Sequence, residues 1–452
     1  MKSLIAFLWI VIAASALAQQ TELIPYRTKA DKWGYCDKQK NIIIPAQYDE
    51  VEQFEGNTAK ICKEKLYGFV DKSGKEVLPP RYSRIGDFSE GYARVYNRDE
   101  EKYGFIDSTF KEVIPMRFDG VGEFSNGLAK VAINGKQGYI DRKGTFVIAP
   151  QHYIAGGFYD NGYAQVKMDV FGVKGLINRK GRVVLDIQYQ KIEGFSSGFA
   201  LIAAKGEYGF INRSCSIVVP LGYYHSANSF SEGLARVQRG YEYSFIDTTL
   251  NIVLTPPYKT VLDFSCGLAA VQKDITTQWG FIDHTGKEVI PAVYDEVQNF
   301  IEGFACVRVG KKWGIIDQRG KEVAPAIYDK VEKFSEGFAW VQVGKKWTFI
   351  NQQGKEIIPP RYEEAQSFSN GYAGIYMVGK WGIIDKTGEE IIPPRYDSIG
   401  DFSKGYFRAV GGSGILSRYW LGYVGVDGTE YWDNGYTAPS SAKSSLSKKG
   451  GE

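Results

Sequence analysis

Lys312-Trp313-Gly314-Ile315-Ile316-Asp317-Gln318-Arg319-Gly320-Lys321-Glu322-Val323-Ala324-Pro325-Ala326-Ile327-Tyr328-Asp329 decides the fold, because degenerate copies of it run along the chain. Aligning on the glycine after the aromatic or polar residue gives twelve anchors: Gly34, Gly68, Gly104, Gly138, Gly175, Gly209, Ser244, Gly280, Gly314, Thr348, Gly382 and Gly422. Their spacings stay between 34 and 40 residues. A period that steady marks a tandem array of small structural units, not one large core.

Each copy reads as three antiparallel strands. An alternating segment such as Ala339, Val341 and Val343 ends at a tight turn, Gly344-Lys345. The Trp-Gly strand follows, as in Trp381-Gly382-Ile383-Ile384-Asp385, and then a third strand such as Glu390-Ile391-Ile392. A proline after the third strand is expected to stop it, since proline lacks the N–H a ladder needs. Connections this short return a strand only antiparallel.

The turn between the second and third strands opens with Asp or Asn in eleven of twelve copies, with Gly425 the exception. Asp71-Lys72-Ser73-Gly74 looks like the start of a calcium loop, but Asn substitutes for Asp and no glutamate completes a ligand set. An Asx-turn, in which the side chain accepts backbone N–H bonds, is the better account. Farther on, a phenylalanine recurs at 54, 88, 124, 158, 195, 230, 264, 300, 334, 368 and 402, usually heading Phe-Ser-x-Gly. A three-stranded sheet cannot bury its apolar face alone, so this ring is expected to plug the joint between neighbouring units. The small Ala59, Ala93 and Ala129 and their later equivalents leave room for it, and Phe407 replaces them in the last copy.

The motif running from Lys312 to Asp329 resembles the bacterial WG repeat family, and the resemblance spans about residues 23 to 433. It implies a β-rich repeat module, commonly in secreted or envelope proteins. Tyr67, Tyr103, Gln137, Lys174, Tyr208 and Tyr243 stand where the motif has tryptophan, so a function needing an indole in every unit does not follow. The expected architecture is all-β: about twelve three-stranded meanders in an open β-solenoid, favoured over two β-propellers. Twelve units exceed one ring of four to eight blades, and the array reads as complete at both ends, from Leu23–Arg27 to Thr429–Trp432.

Residues 1–18 read as a signal peptide: Met1-Lys2, an apolar run from Leu4 to Ile12, and Ala16-Leu17-Ala18 before the expected cleavage. Export to the periplasm, cell envelope or medium follows as an expectation, with the array over 19–433 and a disordered Ser/Lys/Gly-rich tail over 434–452. No later stretch reaches the eighteen apolar residues a membrane helix needs. Without Lys2, 54 basic and 52 acidic residues intersperse along the array, which argues against nucleic acid as a partner. The five cysteines, Cys36, Cys62, Cys215, Cys266 and Cys306, are assigned mostly to packing, and Cys36 with Cys62 is the one pairing close in sequence.

The chain offers little for catalysis. His152, His225 and His284 lack zinc spacing and a nearby nucleophile turn, and Gly411-Gly412-Ser413-Gly414 does not open a phosphate-binding helix. Glu76, Glu112, Glu288, Glu322, Glu356 and Glu390 recur at one position, which suggests cross-strand pairing with lysine instead of a catalytic dyad. The reading is therefore a non-enzymatic scaffold, with no catalytic, metal or cofactor residue assigned, that binds another extracytoplasmic protein. A glycan or cell-wall binder using exposed aromatics is the alternative, and a hydrolase the least supported class.

Overall fold

The computed structural model describes residues 22–152, 154–159, 161–167, 172–273, 277–411 and 419–433. The signal peptide and tail expected at the two ends lie outside them. The described chain is all-β and contains no helix, only twelve small antiparallel sheets in tandem. It divides into two compact units, one of residues 1–87, 93–112 and 370–452, the other of 88–92 and 113–369.

Nine of the twelve sheets have four strands, not the three expected. The extra strand is a short segment that follows the repeat tyrosine. Glu296–Val297, for example, pairs Glu296 with Arg308 and Val297 with Val307 of the strand Phe304–Val309, which in turn pairs with Lys312–Asp317. Each outer strand thus hands the chain to the inner edge of the next sheet.

The outer strand does not stop at its proline. Glu390–Tyr396 runs through Pro393 and Pro394, because these residues sit in a bulge. Trp381 pairs with Tyr396 and Ile383 with Ile392, so the single residue Gly382 faces three, Pro393, Pro394 and Arg395. The surplus backbone arches over Gly382, where no ladder N–H is required of the prolines. This crossing explains the glycine of the motif. A Cβ at Gly382 would stand 2.6 Å from Pro394 N and closer still to the carbonyl oxygen of Ile392.

The two copies without that glycine confirm the cause. At Ser244 the outer strand shrinks to Ile252–Leu254, and the Ser244 hydroxyl lies 2.9 Å from that of Thr255. At Thr348 no outer strand forms; Trp347 with Tyr362 and Ile350 with Glu356 remain as isolated bridges, and the Thr348 hydroxyl donates to Ile358 O.

The repeat phenylalanines fill the joints. Phe334 is 4 % exposed and packs with Cys306, Ile315 and Ala324 of the preceding sheet and Val331, Ala339 and Ile350 of its own. Its ring lies 4.4 Å from that of Phe304. The serine after it adds a hydrogen bond: Ser335 Oγ donates to Phe368 O at 2.9 Å, as Ser196 does to Phe230 O and Ser265 to Phe300 O. Glu336 and Gly337, both at positive φ, form the two-residue turn that points the serine back. Phe88 departs from the pattern, being 38 % exposed.

The first and last described repeats lie in one unit and meet there. Arg27 bridges Trp432 in parallel, Asp433 N donates to Arg27 O at 3.0 Å, and Tyr26 Oη donates to Asp433 Oδ1 at 2.6 Å. Tyr406, Tyr423 and Tyr431 join one core with Ile24, Trp33, Tyr35 and Ile44. Lys404 Nζ donates to Phe54 O at 2.6 Å, so the last Phe-Ser-x-Gly turn meets the first repeat phenylalanine much as Ser335 meets Phe368. Local sequence could not reveal this, since each end looks complete by itself.

Candidate interaction edge

In every copy but the last, where Gly425 stands, the turn between the second and third strands is an Asx-turn, as expected. Asp283 Oδ1 accepts from Thr285 N at 2.9 Å and Lys287 N at 3.1 Å, and Asn178 Oδ1 accepts from Lys180 N and Arg182 N at 2.9 and 3.1 Å. The Thr285 hydroxyl and these amides hold the Asp283 carboxyl below the usual carboxylate range. Among the described residues no group of three or more His, Cys, Asp or Glu could hold a metal ion.

The residue that opens the outer strand is the recurrent glutamate, and its main partner differs from the lysine expected. Glu76 accepts from the Tyr48 hydroxyl at 3.4 Å, Glu112 from Tyr82 at 3.2 Å, Glu288 from Tyr258 at 3.4 Å and Glu430 from Tyr396 at 2.6 Å. Each link joins one repeat to the tyrosine of the repeat before it. Burial and the Glu76 charge push the Tyr48 hydroxyl up to about 12, so it stays a donor at any physiological pH. Lys273 with Glu288, at 2.9 Å, does form an ion pair of the expected kind.

Four consecutive repeats of the unit containing 113–369 break this rule. Phe146, Val183, Ile217 and Ile252 stand where the glutamate would, and they are 39, 50, 51 and 57 % exposed. Ahead of Phe146 the repeat aromatic is Phe118, which has no hydroxyl and meets Phe146 edge-on at 6.2 Å. Apolar side chains repeated on the outer strands of neighbouring sheets are the kind of exposure that marks a contact surface.

The turns before these residues are basic. Arg142, Lys143, Arg179, Lys180, Arg182 and Arg213 are all exposed, whereas the turn segment 283–288 carries Asp283, Lys287 and Glu288. A depression of about 520 Å³ opens beside the middle turn, lined by Asn161, Tyr163, Arg179, Lys180 and Arg182.

The other groups weighed from sequence are structural. His225 takes the place of the aspartate that caps the next hairpin: its Nδ1 accepts from Gly240 N at 3.1 Å, as Asp329 Oδ2 accepts from Gly344 N at 2.7 Å. His284 stacks on Phe264 at 4.2 Å, and His152 stands in register with Gln137. The motif lysine and aspartate pair with each other, Lys312 Nζ to Asp329 Oδ1 at 2.6 Å. All five cysteines are free, and Cys36, Cys62, Cys215 and Cys306 are buried. Burial pushes the Cys306 thiol up to about 12, so it packs as a small hydrophobe. Four of the five motif indoles have a cover: Arg27 lies 5.3 Å over Trp33, Arg308 6.0 Å over Trp313, and Trp340 and Tyr376 stack near Trp347 and Trp381.

The sequence model of the WG containing repeat matches eleven times, at residues 33–67, 67–99, 103–136, 138–169, 175–206, 208–243, 243–274, 279–313, 313–347, 347–381 and 381–410. No curated protein matches the chain. Among solved structures, Hsv2p of Kluyveromyces lactis is similar at 8 % identity and TM-score 0.31, covering 60 % of this chain and 99 % of its own. A eukaryotic initiation factor is similar at 11 % identity and TM-score 0.33, with 82 % and 95 % covered. The extracellular domain of the hybrid two component system BT3049 of B. thetaiotaomicron follows at 10 % and 0.21, with 88 % and 70 % covered. Likenesses this low carry nothing over to this chain's activity.

Proposed function

Because this chain belongs to the WG containing repeat family, we propose that it is a non-enzymatic scaffold that binds another protein outside the cytoplasm. The observation that carries the reading is the row of exposed Phe146, Val183, Ile217 and Ile252 in consecutive repeats, at a position where seven other repeats place glutamate and the first has Ile42. Four neighbouring repeats carrying the same departure build an extended apolar edge, which suits a polypeptide partner better than a small molecule. Export rests on the basic start, apolar run and Ala16-Leu17-Ala18 at the N-terminus. In this reading the first and last repeats are neighbours, supported by the Arg27 and Trp432 pairing, instead of free ends of an open superhelix. The covered indoles weigh against stacking on sugar rings, the use a glycan binder would make of them.

The test is capture from an envelope fraction with residues 19–452, in parallel with a variant carrying Val183→Glu, Ile217→Glu and Ile252→Glu. These changes install the residue other repeats already tolerate. A protein retained by the parent and lost by the variant supports the scaffold; equal capture by both overturns the assignment of this edge.

A further inference from the structure

The outer strand Val183-Val184-Leu185-Asp186-Ile187-Gln188-Tyr189 differs from its equivalents in a way that bears on what binds there. The outer strands Ile42–Tyr48, Glu76–Tyr82, Glu112–Phe118, Phe146–His152, Ile217–Tyr224, Glu288–Tyr294, Glu322–Tyr328 and Glu390–Tyr396 all contain proline. Val183–Tyr189 has Asp186 there instead. An outer strand is a sheet edge, and proline is a standard way to keep an edge from pairing with foreign chains. Asp186 restores the N–H that proline removes from these eight strands; Ile252–Leu254 also lacks proline but is only three residues long, and Val183–Tyr189 keeps the bulge over Gly175.

We propose that Val183–Tyr189 accepts an added β-strand from an extended polypeptide rich in Asp and Glu. This rests on the protein-binding reading above and names its partner class. The charge around the strand sets that class. Over 141–146, 178–189 and 212–217 there are six cations against two carboxylates, Asp141 and Asp186. Arg142 is held by Glu90 at 2.9 Å, but among the described residues Lys143, Arg179, Lys180, Arg182 and Arg213 form no ion pair. Arg179, Lys180 and Arg182 immediately precede the strand and line the depression beside it, where Asn161 Nδ2 is buried without a hydrogen-bond partner among the described residues.

Three kinds of contact converge there. The open edge offers backbone hydrogen bonds, Val183 with the flanking Phe146 and Ile217 offers apolar contact, and the turn offers cations for carboxylates. Nucleic acid and anionic lipid would use the cations, but neither ligand pairs with a strand edge. A second copy of this chain paired about the strand's centre would set Asp186 against Asp186, which is unfavourable.

The probe is a fluorescein-labelled peptide of alternating Glu and Val, ten residues long, titrated against the whole mature chain and read by anisotropy. The parent is expected to bind it, more weakly as salt rises, and to ignore the Lys and Val counterpart. Asp186→Pro places in this repeat the residue its equivalents carry and is expected to weaken binding at least about tenfold. A second variant, Arg179→Glu with Lys180→Glu on the exposed turn, should weaken it comparably. Absence of binding by the parent, unchanged affinity in Asp186→Pro with native circular dichroism, or tighter binding of phosphatidylglycerol vesicles or a DNA oligonucleotide than of the peptide would each overturn the proposal. The scaffold reading fails separately: envelope capture lost with Ile217→Glu but kept with Asp186→Pro would leave a protein binder that does not add a strand.

Discussion

Gly280 lies directly under the carbonyl of Ile290: a Cβ on Gly280 would stand 2.5 Å from that oxygen and 2.7 Å from the backbone nitrogen of Ala292. Both neighbours are backbone, so neither can swing aside. Gly280→Ala is therefore expected to push the Pro291 bulge off the sheet, at a cost of about 1–3 kcal/mol, as for other overpacked sites. Hydrogen exchange should show faster opening across 288–294 while the pairing of Trp279 with Gln272 holds.

Thr348 offers the converse test. Its side chain occupies the space the bulge would take, and the outer segment of that repeat is reduced to isolated bridges at 356 and 362. Thr348→Gly should let the segment 356–362 close into a continuous strand, despite the lost hydrogen bond to Ile358 O. The readout is slower amide exchange at 356–362; exchange unchanged or faster would mean that something other than the Thr348 side chain keeps this strand apart.

What the sequence disclosed, and what it did not, follows from the range of each interaction. The Asx-turns were legible because Asp283 meets its amide donors within four residues, and the plug was legible because Phe334 repeats with the period. The fourth strand escapes the sequence because two residues such as Glu296 and Val297 are too few to show alternation. Proline was misread as a stop because its tolerance depends on the glycine opposite it, a pairing visible only in three dimensions. Glu76 was matched to lysine when its partner, Tyr48, lies 28 residues earlier. At the candidate edge, Asp186 in place of proline and the basic Arg179, Lys180 and Arg182 stand in the sequence itself, but the exposure of Val183 does not.

The turn carboxylates predict a response to acid. Thr109, Thr249 and Thr285 donate side-chain hydrogen bonds that, with the turn amides, lower Asp107, Asp247 and Asp283 from their ordinary value. A carboxyl lowered in the folded state stabilises fully above its unfolded value, about 3.9, and the contribution is lost as pH falls through the lower folded value. Stability should thus decline below about pH 4 as these groups protonate. Asp247→Asn with Asp283→Asn keeps acceptors of the kind Asn178 uses, so thermal melts of that variant should change less between pH 5 and pH 3 than those of the parent. A variant as acid-sensitive as the parent would assign the acid response to other carboxylates.

Phe334→Ala tests the joint between repeats. Truncating a buried aromatic costs about 3–5 kcal/mol. Because each sheet packs on its sequence neighbours, the loss should appear as local opening over 304–350 ahead of melting elsewhere. Unchanged exchange in that region would remove Phe334 from the core and make the repeat phenylalanines candidates for ligand contact.

The junction of the two ends yields the last prediction. Asp433 accepts from the Tyr26 hydroxyl at 2.6 Å and from Lys29 N at 2.9 Å, while its own N–H donates to Arg27 O. Burial and the Asp433 carboxylate raise the Tyr26 hydroxyl, which therefore remains a donor at neutral pH. Asp433→Ala leaves a half-buried hydroxyl and an exposed backbone amide without that acceptor, so a loss of about 0.5–1.5 kcal/mol is expected, confined at first to the terminal repeats. Tyr26→Phe removes the other half of the side-chain pair, and the double variant should lose less than the sum of the singles, because each change already breaks the same bond. Amide exchange at 24–36 and 419–432 reads the junction directly: both segments should open together in Asp433→Ala. Opening of 419–432 alone, with additive stability losses in the double variant, would show that the ends fold independently and that the pairing of Arg27 with Trp432 does not hold the array together.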